Sequence, residues 1–507
     1  MAEYLHLIGV GFANALEPFV LAMMLAGMVI GLVAGVLPGI SMINAVVLAL
    51  PFTYFMEPTA AVIMLISIYC SGMFAGAITA ILINIPGSPG NAPTAFDGYP
   101  MTRKGEAALA IGTSIICSGI GGFLSAIVLA TAAPALADYA LGFNSMDKFA
   151  LVFLGMACVT NAGSSSRVRA ISALLLGAMV GTIGLAPIYP AFRFTFGTDL
   201  LQAGVNFIIA LIGLFAIAEL FDRFARRNSG WEGLPANIKV RLPGLAELKR
   251  LKGTIMRSTA IGTSVGIIPG EGGAISAFLA YGVEKQVSKH GQAFGTGVLE
   301  GVAAPETANN ASTGGALIPT LALGIPGSAA AAVIMGALLL HGFEPGPLLF
   351  VKAPETVYTI FAAVLMINLL MIAGGLVTTR MFVQLLKVPE PVLSGGILLL
   401  CFIGAFGVRN QMADIWMMLG FGVLGFLFRR FDFSVPAFII GLLLGPMAET
   451  YFLRTMLVAD GNPMVLLTQP LSAFLIACGL LIVFVPEVAW IRRNLAGYLL
   501  SPSRQSK

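Results

Sequence analysis

Long apolar runs recur along the whole chain, and many reach the roughly 20 residues that a helix needs to cross a ~30 Å hydrocarbon core. Hydrophobic residues make up 58% of the sequence and charged residues only 10%, whereas about a quarter of the residues in a soluble domain are charged. No soluble core can bury so many wholly apolar helices. The sequence therefore predicts an all-α polytopic membrane protein.

A single polar stretch separates two sets of apolar segments. The first set covers 19–37, 40–56, 58–83, 106–134, 147–163, 167–187 and 204–221. The second covers 257–283, 304–323, 327–341, 355–379, 390–407, 411–428, 433–448 and 464–486. Because Lys and Arg mark cytoplasmic loops, we expect the basic stretch 222–257 to be a cytoplasmic linker. Arg492 and Arg493 after the last segment place the C-terminus on the same side.

Two short motifs each occur twice, in the same order. Gly31-Leu-Val-Ala-Gly-Val-Leu-Pro-Gly39 is matched by Gly262-Thr-Ser-Val-Gly-Ile-Ile-Pro-Gly270, and Ile85-Pro-Gly-Ser88 is matched by Ile325-Pro-Gly-Ser328. In the charge-based topology, the matched segments cross in opposite directions. We therefore predict two inverted-topology repeats with broken or re-entrant helices, plus an extra C-terminal helix. The predicted divisions are 1–221 (first repeat), 222–257 (linker), 258–448 (second repeat) and 449–507 (final helix and cytoplasmic tail).

Proline–glycine pairs inside apolar runs predict helices that end within or near the membrane. Proline cannot donate a backbone hydrogen bond, and glycine permits left-handed turns. The next helix then begins with free N–H groups and the positive end of its dipole, which favour an anion; an ordinary turn at the membrane surface is the alternative. The predicted substrate-binding residues are Pro38, Gly39, Ser41, Asn44, Pro86, Gly87, Ser88, Pro269, Gly270, Ser276, Asn309, Asn310, Ser312, Thr313, Pro326, Gly327 and Ser328.

Ionisable groups within membrane segments are costly and are therefore candidate functional groups. We predict Asn84, Glu271 and Glu306 as coupling-ion residues, for H⁺ or Na⁺. These two glutamates, and Glu300 as a further candidate, can equally lie in solvated loops. Asp97 is expected at the surface, close to basic residues. Asn309 and Asn310 have an alternative role as helix-packing amides. The five cysteines show no metal-ligand or redox spacing, so no catalytic residue, cofactor or resident metal is predicted.

At these paired motifs the chain closely resembles the large membrane subunit of the tripartite tricarboxylate transporter family. The resemblance extends over almost the whole chain and implies a bacterial inner-membrane secondary transporter. It implies two protein partners, a small membrane subunit of about four helices and a periplasmic solute-binding protein. It also implies carboxylate substrates, such as di- or tricarboxylates or aromatic acids, and coupling to protons or sodium. The other expected partner is the lipid bilayer, and no nucleic acid is expected.

Import of such an anion requires an energy source. Moving a dianion against a negative-inside potential costs roughly 4.6 kcal/mol per 100 mV, and the chain lacks a phosphate-binding Gly-x-x-x-x-Gly-Lys-Ser/Thr motif for nucleotide hydrolysis. We therefore predict cation-coupled alternating access, in an elevator-like or rocking cycle. The rival interpretations are an anion channel and a membrane-embedded enzyme, for which the three histidines offer little catalytic material.

Overall fold

The computed structural model is almost wholly helical over the residues it describes, which are 2–37, 41–160, 166–225, 240–270, 272–385 and 390–499. The first half contains α1 (Ala2–Ala15), α2 (Pro18–Val36), α3 (Met42–Thr53), α4 (Pro58–Ile83), α5 (Ala92–Arg103), α6 (Ala107–Ala140), α7 (Ser145–Val159), α8 (Arg167–Gly181), α9 (Phe207–Leu211) and α10 (Ala218–Ala225). A π-helical segment, Ile212–Ile217, joins α9 to α10. Two short strands, β1 (Gly184–Leu185) and β2 (Phe192–Arg193), pair antiparallel.

The second half contains α11 (Leu245–Ile267), α12 (Gly272–Val287), α13 (Leu299–Leu323), α14 (Ala329–Leu340), α15 (Pro347–Lys352), α16 (Pro354–Leu385), α17 (Glu390–Arg409), α18 (Met412–Arg430), α19 (Val435–Val458), α20 (Val465–Thr468) and α21 (Pro470–Leu499). Within the described ranges, seven helical stretches are long and apolar enough to cross a membrane. They are Pro18–Val36, Pro58–Ile83, Ala107–Ala140, Pro354–Val377, Pro391–Arg409, Met412–Arg430 and Val435–Val458. The prediction of an all-α polytopic membrane protein is confirmed.

Some element boundaries differ from the predicted segments. The sequence pattern missed α1, and α11 begins at Leu245, inside the stretch predicted as a linker. The segment 167–187 ends earlier than predicted, because the helix stops at Gly181 and the chain continues into the β1–β2 pair. In contrast, α19 continues to Val458, beyond the predicted end.

Helices α4 and α13 occupy the centre of the protein. The apolar stretch of α4 is wholly buried, and every residue of α13 from Glu300 to Ala322 is buried. Pro58 occupies the first turn of α4, where a proline is well tolerated. The Glu57 carboxylate accepts hydrogen bonds from the N–H groups of Thr59 at 2.9 Å and Ala60 at 2.7 Å. Each central helix packs against helices of both halves, α4 against α2 and α16, and α13 against α11 and α6.

The first glycines of the two repeated motifs, Gly31 and Gly262, each pack closely against the backbone of a central helix. A methyl group at Gly31 would collide with the carbonyl of Ile68, and one at Gly262 would collide with the carbonyl of Ala308. Ile68 and Ala308 lie the same number of residues before the serines of their Ile-Pro-Gly-Ser motifs. The packing of α2 on α4 is therefore repeated by α11 on α13. The opposite orientation of the two halves stays a prediction.

Ion pairs join the helices around the basic stretch. The buried Glu284 carboxylate of α12 accepts hydrogen bonds from Nε and Nη2 of Arg257 and from the Thr254 hydroxyl, both residues of α11. Glu300 of α13 pairs with Arg250 at 2.8 Å. These contacts fix α11, α12 and α13 as one packed group. They show that Glu300 is a buried, ion-paired residue rather than a residue of a solvated loop.

Candidate functional site

The two Ile-Pro-Gly-Ser motifs form equivalent breaks, here called the first tip (84–88) and the second tip (324–328). α4 ends at Asn84 and α13 ends at Gly324, and both residues adopt left-handed backbone conformations, with φ of 55° and 69°. The N–H group of the following isoleucine donates back to the preceding helix in both cases, at 3.4 Å and 3.2 Å. A new helical segment begins directly after each tip serine. The predicted helix breaks are confirmed.

Each tip packs against the other glycine-rich motif of its own half. The Gly87 N–H group donates to the Gly76 carbonyl at 3.1 Å, and a methyl group at Gly87 would lie 2.5 Å from the Gly35 carbonyl oxygen. In the second half, Gly270 donates its N–H to the Gly327 carbonyl at 3.2 Å. Only a glycine permits such a close backbone approach. The two motifs of each half therefore form one structural unit.

The two tips differ in exposure. Ile85 of the first tip is 41% exposed, whereas Ile325 of the second tip is 3% exposed. The side chain of Ile325 packs against Gly155 of α7, and Gly324 lies against the backbone of Pro345. Pro86 is exposed and Pro326 is buried. The second tip is thus covered by the surrounding helices, while the first is open.

The central helices bring both tips to one region. The Tyr69 hydroxyl of α4 lies 3.3 Å from the Ser328 hydroxyl of the second tip. One turn further along α4, the Met73 carbonyl accepts hydrogen bonds from the side-chain amides of Asn91, just after the first tip, and Asn309 of α13. The distances are 3.2 Å and 3.3 Å. The predicted residues Ser328 and Asn309 of the second half therefore contact the same stretch of α4 that Asn91, after the first tip, also contacts.

Glu306 of α13 is fully buried beside the first tip. Its Oε1 atom accepts hydrogen bonds from the Thr94 hydroxyl at 2.6 Å and the Asn91 side-chain amide at 3.3 Å. Its Oε2 atom accepts from the hydroxyls of Ser114 at 3.2 Å and Ser118 at 3.0 Å, both on α6. No ion pair to this carboxyl is present among the described residues. The alternative prediction of a solvated loop is wrong for Glu306.

Ser41 and the tip serine Ser328 are the N-cap residues of two short helices. The Ser41 and Ser328 hydroxyl oxygens accept hydrogen bonds from backbone N–H groups in the first turns of α3 and α14, at 3.2 Å and 3.1 Å. Because its oxygen acts as an acceptor, Ser41 keeps a proton for a ligand, and Ser328 does so when Tyr69 is the donor in the contact between their hydroxyls. Ser88 instead donates to the Asn91 side-chain oxygen at 2.6 Å. The buried Asn44 side-chain oxygen, one turn into α3, has no hydrogen-bond partner in the described structure.

Three predicted hydroxyl ligands bond to helix carbonyls instead. Ser276 donates to Gly273 O, Ser312 to Asn309 O and Thr313 to Asn310 O, at 2.8, 2.7 and 2.7 Å. Such a bond to the preceding turn satisfies a hydroxyl inside a helix. The hydroxyl hydrogens of these three residues are therefore donated to carbonyls and not to a ligand. Asn310 likewise donates its amide to the Glu306 carbonyl at 3.4 Å.

Three predicted residues, Pro38, Gly39 and Glu271, lie outside the described residues. Three others have a backbone role. Pro269 and Gly270 lie in the turn between α11 and α12, where Gly270 has a φ of 143°. Asn84 is an exposed residue whose described role is the left-handed end of α4.

Asp97 is buried, which contradicts its predicted surface position. It lies on α5, and its carboxylate accepts hydrogen bonds from the Tyr281 hydroxyl and from three backbone N–H groups in the loop before α13. The basic residues nearby in sequence suggested solvent, but α5 packs inward against α4, α6 and α13. Sequence reasoning also missed the four residues that bond to Glu306, which are Asn91, Thr94, Ser114 and Ser118. The available signal for the two serines was their spacing of one helical turn on α6.

Comparison with known proteins agrees with this architecture. Residues 21–440 match the Tripartite tricarboxylate transporter TctA family. A protein of Agrobacterium vitis described as an uncharacterized 52.8 kDa protein in the TAR-I ttuC' 3'region is 35% identical over 97% of this chain and 98% of its own length. A second protein of that organism, described as an uncharacterized protein in the TAR-II ttuC' 3'region, is 34% identical over 46% of this chain and 96% of its own length.

No solved structure matches the chain. The family match covers most of the sequence and includes both pairs of repeated motifs. The chain therefore belongs to the tripartite tricarboxylate transporter TctA family, a family of membrane transporter components.

Proposed function

We propose that this chain imports small carboxylates by cation-coupled alternating access, with the substrate bound between the two tips. The observation that carries the proposal is that two equivalent helix breaks reach the same stretch of α4, where Ser328 contacts Tyr69 and Asn91 bonds to the Met73 carbonyl. Repeated, interrupted helices near the centre of a membrane protein are typical of secondary transporters. A periplasmic binding protein would deliver the substrate, and a small four-helix subunit would complete the complex in the inner membrane.

The chemistry of the tips suits an anion. Ser41 retains its hydroxyl proton, and Ser328 does so when Tyr69 donates to it. The helices that follow both serines present N–H groups and the positive ends of their dipoles. Donors of this kind bind a carboxylate without a buried fixed cation. The anion can therefore leave the site again, because it is not held by a full opposite charge.

Coupling supplies the energy for accumulation. A dianion entering a negative-inside cell costs roughly 4.6 kcal/mol per 100 mV, and three accompanying cations reverse the sign of the transferred charge. The buried carboxyl beside the first tip offers a position for one such cation or proton. A channel would only equilibrate the substrate across the membrane.

The unequal exposure of the tips supports alternating access. In this conformation Ile85 is exposed and Ile325 is covered. In an inverted repeat, exchange of the two environments would open the site to the other side. We propose that the open first tip and the covered second tip represent one of the two end states.

Uptake of labelled carboxylates tests the proposal. The chain is co-expressed with the proposed small subunit and binding protein, and cells receive citrate, a dicarboxylate or an aromatic acid. We expect at least one probe to accumulate above its outside concentration. Ser328→Ala should lower uptake by about ten-fold, because a hydrogen bond to a charged group contributes about 1.5–3 kcal/mol.

A matched control separates the tip from a general effect of serine removal. Ser472 is a buried serine of α21 that bonds to the carbonyls of Leu466 and Gln469, so Ser472→Ala should retain uptake. Equilibration without accumulation would favour a channel. Absence of uptake for every carboxylate, with the whole complex in the membrane, would refute the proposal.

Labelling of equivalent positions tests the alternating exposure. Ile85→Cys should react with a membrane-impermeant methanethiosulfonate at least about ten-fold faster than Ile325→Cys, because thiol reactivity follows access. The parent chain gives the background, since its cysteines are buried or half-buried. A transported carboxylate should alter the ratio. If both cysteine variants react at the same rate and no substrate changes either rate, the proposal of two end states is contradicted.

A further inference from the structure

We propose that Glu306 is the proton-binding residue of the transport cycle and that Ser88 and Asn91 link its protonation to the first tip. This inference rests on the proposed function and deepens it by naming H⁺ as the coupling ion at this carboxyl. It follows from a continuous hydrogen-bond chain, in which Ser88 donates to Asn91 and Asn91 donates to Glu306.

The orientation of Asn91 is fixed by its other contacts. Its side-chain nitrogen donates to both the Met73 carbonyl and Glu306, which are acceptors, while its oxygen accepts from Ser88. Reversal of the amide would place an acceptor oxygen against two other acceptors. The nitrogen of Asn91 therefore points at the carboxyl and the oxygen points at the tip.

The surroundings of Glu306 suit a proton better than Na⁺. Na⁺ needs several oxygen lone pairs directed at it, whereas four donor groups are directed at this carboxyl. The Thr94 oxygen lies only 2.6 Å from Glu306 Oε1, a hydrogen-bond distance that leaves no room for a cation between them. The nitrogen of Asn91, carrying its protons, would also repel a cation.

Charged groups on the neighbouring helices are engaged elsewhere. Asp97 of α5 bonds to Tyr281 and the loop before α13, and Glu284 of α12 pairs with Arg257 of α11. The other titratable groups on α4 and α6 are the buried Tyr69, Cys70 and Cys117, and the exposed Asp138 and Tyr139 at the far end of α6, where Asp138 accepts a hydrogen bond from Tyr4. Within the described residues, the charge state of Glu306 is therefore set by its own proton and by the four hydrogen-bond donors.

Protonation would change the hydrogen-bond pattern at the tip. The ionised carboxylate accepts from all four donors, whereas the carboxylic acid must donate through one oxygen, so that one hydroxyl has to rotate and accept. A substrate carboxylate that takes the Ser88 proton as a hydrogen bond removes that bond from Asn91. Substrate at the tip and the proton on Glu306 thus act on the same amide. Glu306 would take up one proton from one side of the membrane and release it to the other side. Apart from this O–H bond, no covalent bond is made or broken.

Infrared titration of the purified full-length chain tests the site without any substrate. We expect a protonated-carboxyl C=O band that changes with pH in the native chain and is absent in Glu306→Gln. Glu300→Gln is the matched control, because Glu300 is also a buried carboxyl of α13 but is paired with Arg250; its variant should retain the band. Asn91→Ala should raise the titration midpoint of this band by roughly 0.5 pH unit or more, because the substitution removes a hydrogen-bond donor that stabilises the ionised form.

Transport provides the second readout. In vesicles containing the whole complex, Glu306→Gln should abolish accumulation driven by an imposed pH gradient, while exchange of labelled for unlabelled carboxylate continues. A titrating band that persists in Glu306→Gln, or pH-driven accumulation by that variant, would overturn the assignment. If the band behaves as expected but no carboxylate is transported by the native complex, the proposed function fails and the proton site stands.

Discussion

Asp97 connects the helix after the first tip to the start of α13, and its removal should destabilise the protein strongly. Its Oδ1 atom accepts hydrogen bonds from the N–H groups of Gly295 at 2.9 Å, Gly297 at 2.8 Å and Val298 at 2.9 Å. Its Oδ2 atom accepts from the Tyr281 hydroxyl at 2.8 Å. The carboxylate is completely buried, so water cannot replace it without rearrangement.

The loss can be worked out from these four bonds. Asp97→Ala leaves three backbone donors and one hydroxyl without their acceptor, and each buried orphan costs about 1–3 kcal/mol. Because the hydroxyl can rotate and the loop can admit some water, we expect a total of roughly 3–5 kcal/mol. Asp97→Asn retains an acceptor oxygen for the three N–H groups and should lose only about 1–2 kcal/mol. Tyr281→Phe should lose about 1 kcal/mol.

Thermal unfolding of the purified full-length chain in detergent checks this order. The unfolding temperature should fall most for Asp97→Ala, less for Asp97→Asn and least for Tyr281→Phe. The Asn variant serves as the matched control, since it preserves shape and removes the charge. If the Ala and Asn variants unfold at the same temperature, the three N–H groups do not depend on the retained oxygen, and the reasoning is wrong.

Three further outcomes are expected in the same unfolding assay. Gly87→Ala should destabilise the chain by about 1–3 kcal/mol through overpacking, whereas Gly282→Ala, which has open space around it in a helix, should be neutral or stabilising by about 1 kcal/mol. Arg257→Gln should cost roughly 2 kcal/mol because it leaves Glu284 buried without its partner, and a second change, Glu284→Gln, should recover most of the loss. Burial lowers the pKa of His341, so the unfolded chain binds a proton at a higher pH than the folded chain does. Stability should therefore fall as the pH drops through about 6.5, the ordinary range of histidine, and His341→Gln should flatten that part of the profile.

The sequence predicts the tips correctly because their signal is local and occurs twice. Single prolines such as Pro134 and Pro319 stay inside helices. In each Ile-Pro-Gly-Ser motif a proline, which lacks a backbone donor, directly precedes a glycine, which allows a turn. The breaks after α4 and α13 follow from that local combination. The repeat also predicts which helices correspond, and the equivalent contacts of Gly31 and Gly262 agree with it. Local chemistry thus defines the broken helices of the fold.

The surroundings of Glu306 depend on contacts that no local pattern contains. Ser114 and Ser118 lie far from Glu306 in sequence, in an apolar helix whose composition predicts only a membrane span. Ser312 and Thr313 show the opposite error. Their polarity suggests a binding surface, but hydroxyls inside a helix bond readily to the preceding turn. Which polar side chain faces a site and which bonds to its own helix is decided by tertiary packing.

The central region contains buried polar atoms that lower the stability of the fold. The side-chain oxygens of Asn44, Asn309 and Asn310 are buried without a hydrogen-bond partner in the described structure, and each such atom costs about 1–3 kcal/mol. Apolar residues of similar size would remove that cost and pack equally well. The Asn309 and Asn310 oxygens lie on α13 within about one helical turn of Glu306, and the Asn44 oxygen lies near the start of α3. Other unsatisfied atoms, such as those of Thr113 and Asn368, lie on other helices. A buried polar group without a partner calls for an explanation. For the two α13 oxygens close to Glu306, we expect that explanation to be a role of this central helix in binding and releasing the transported species.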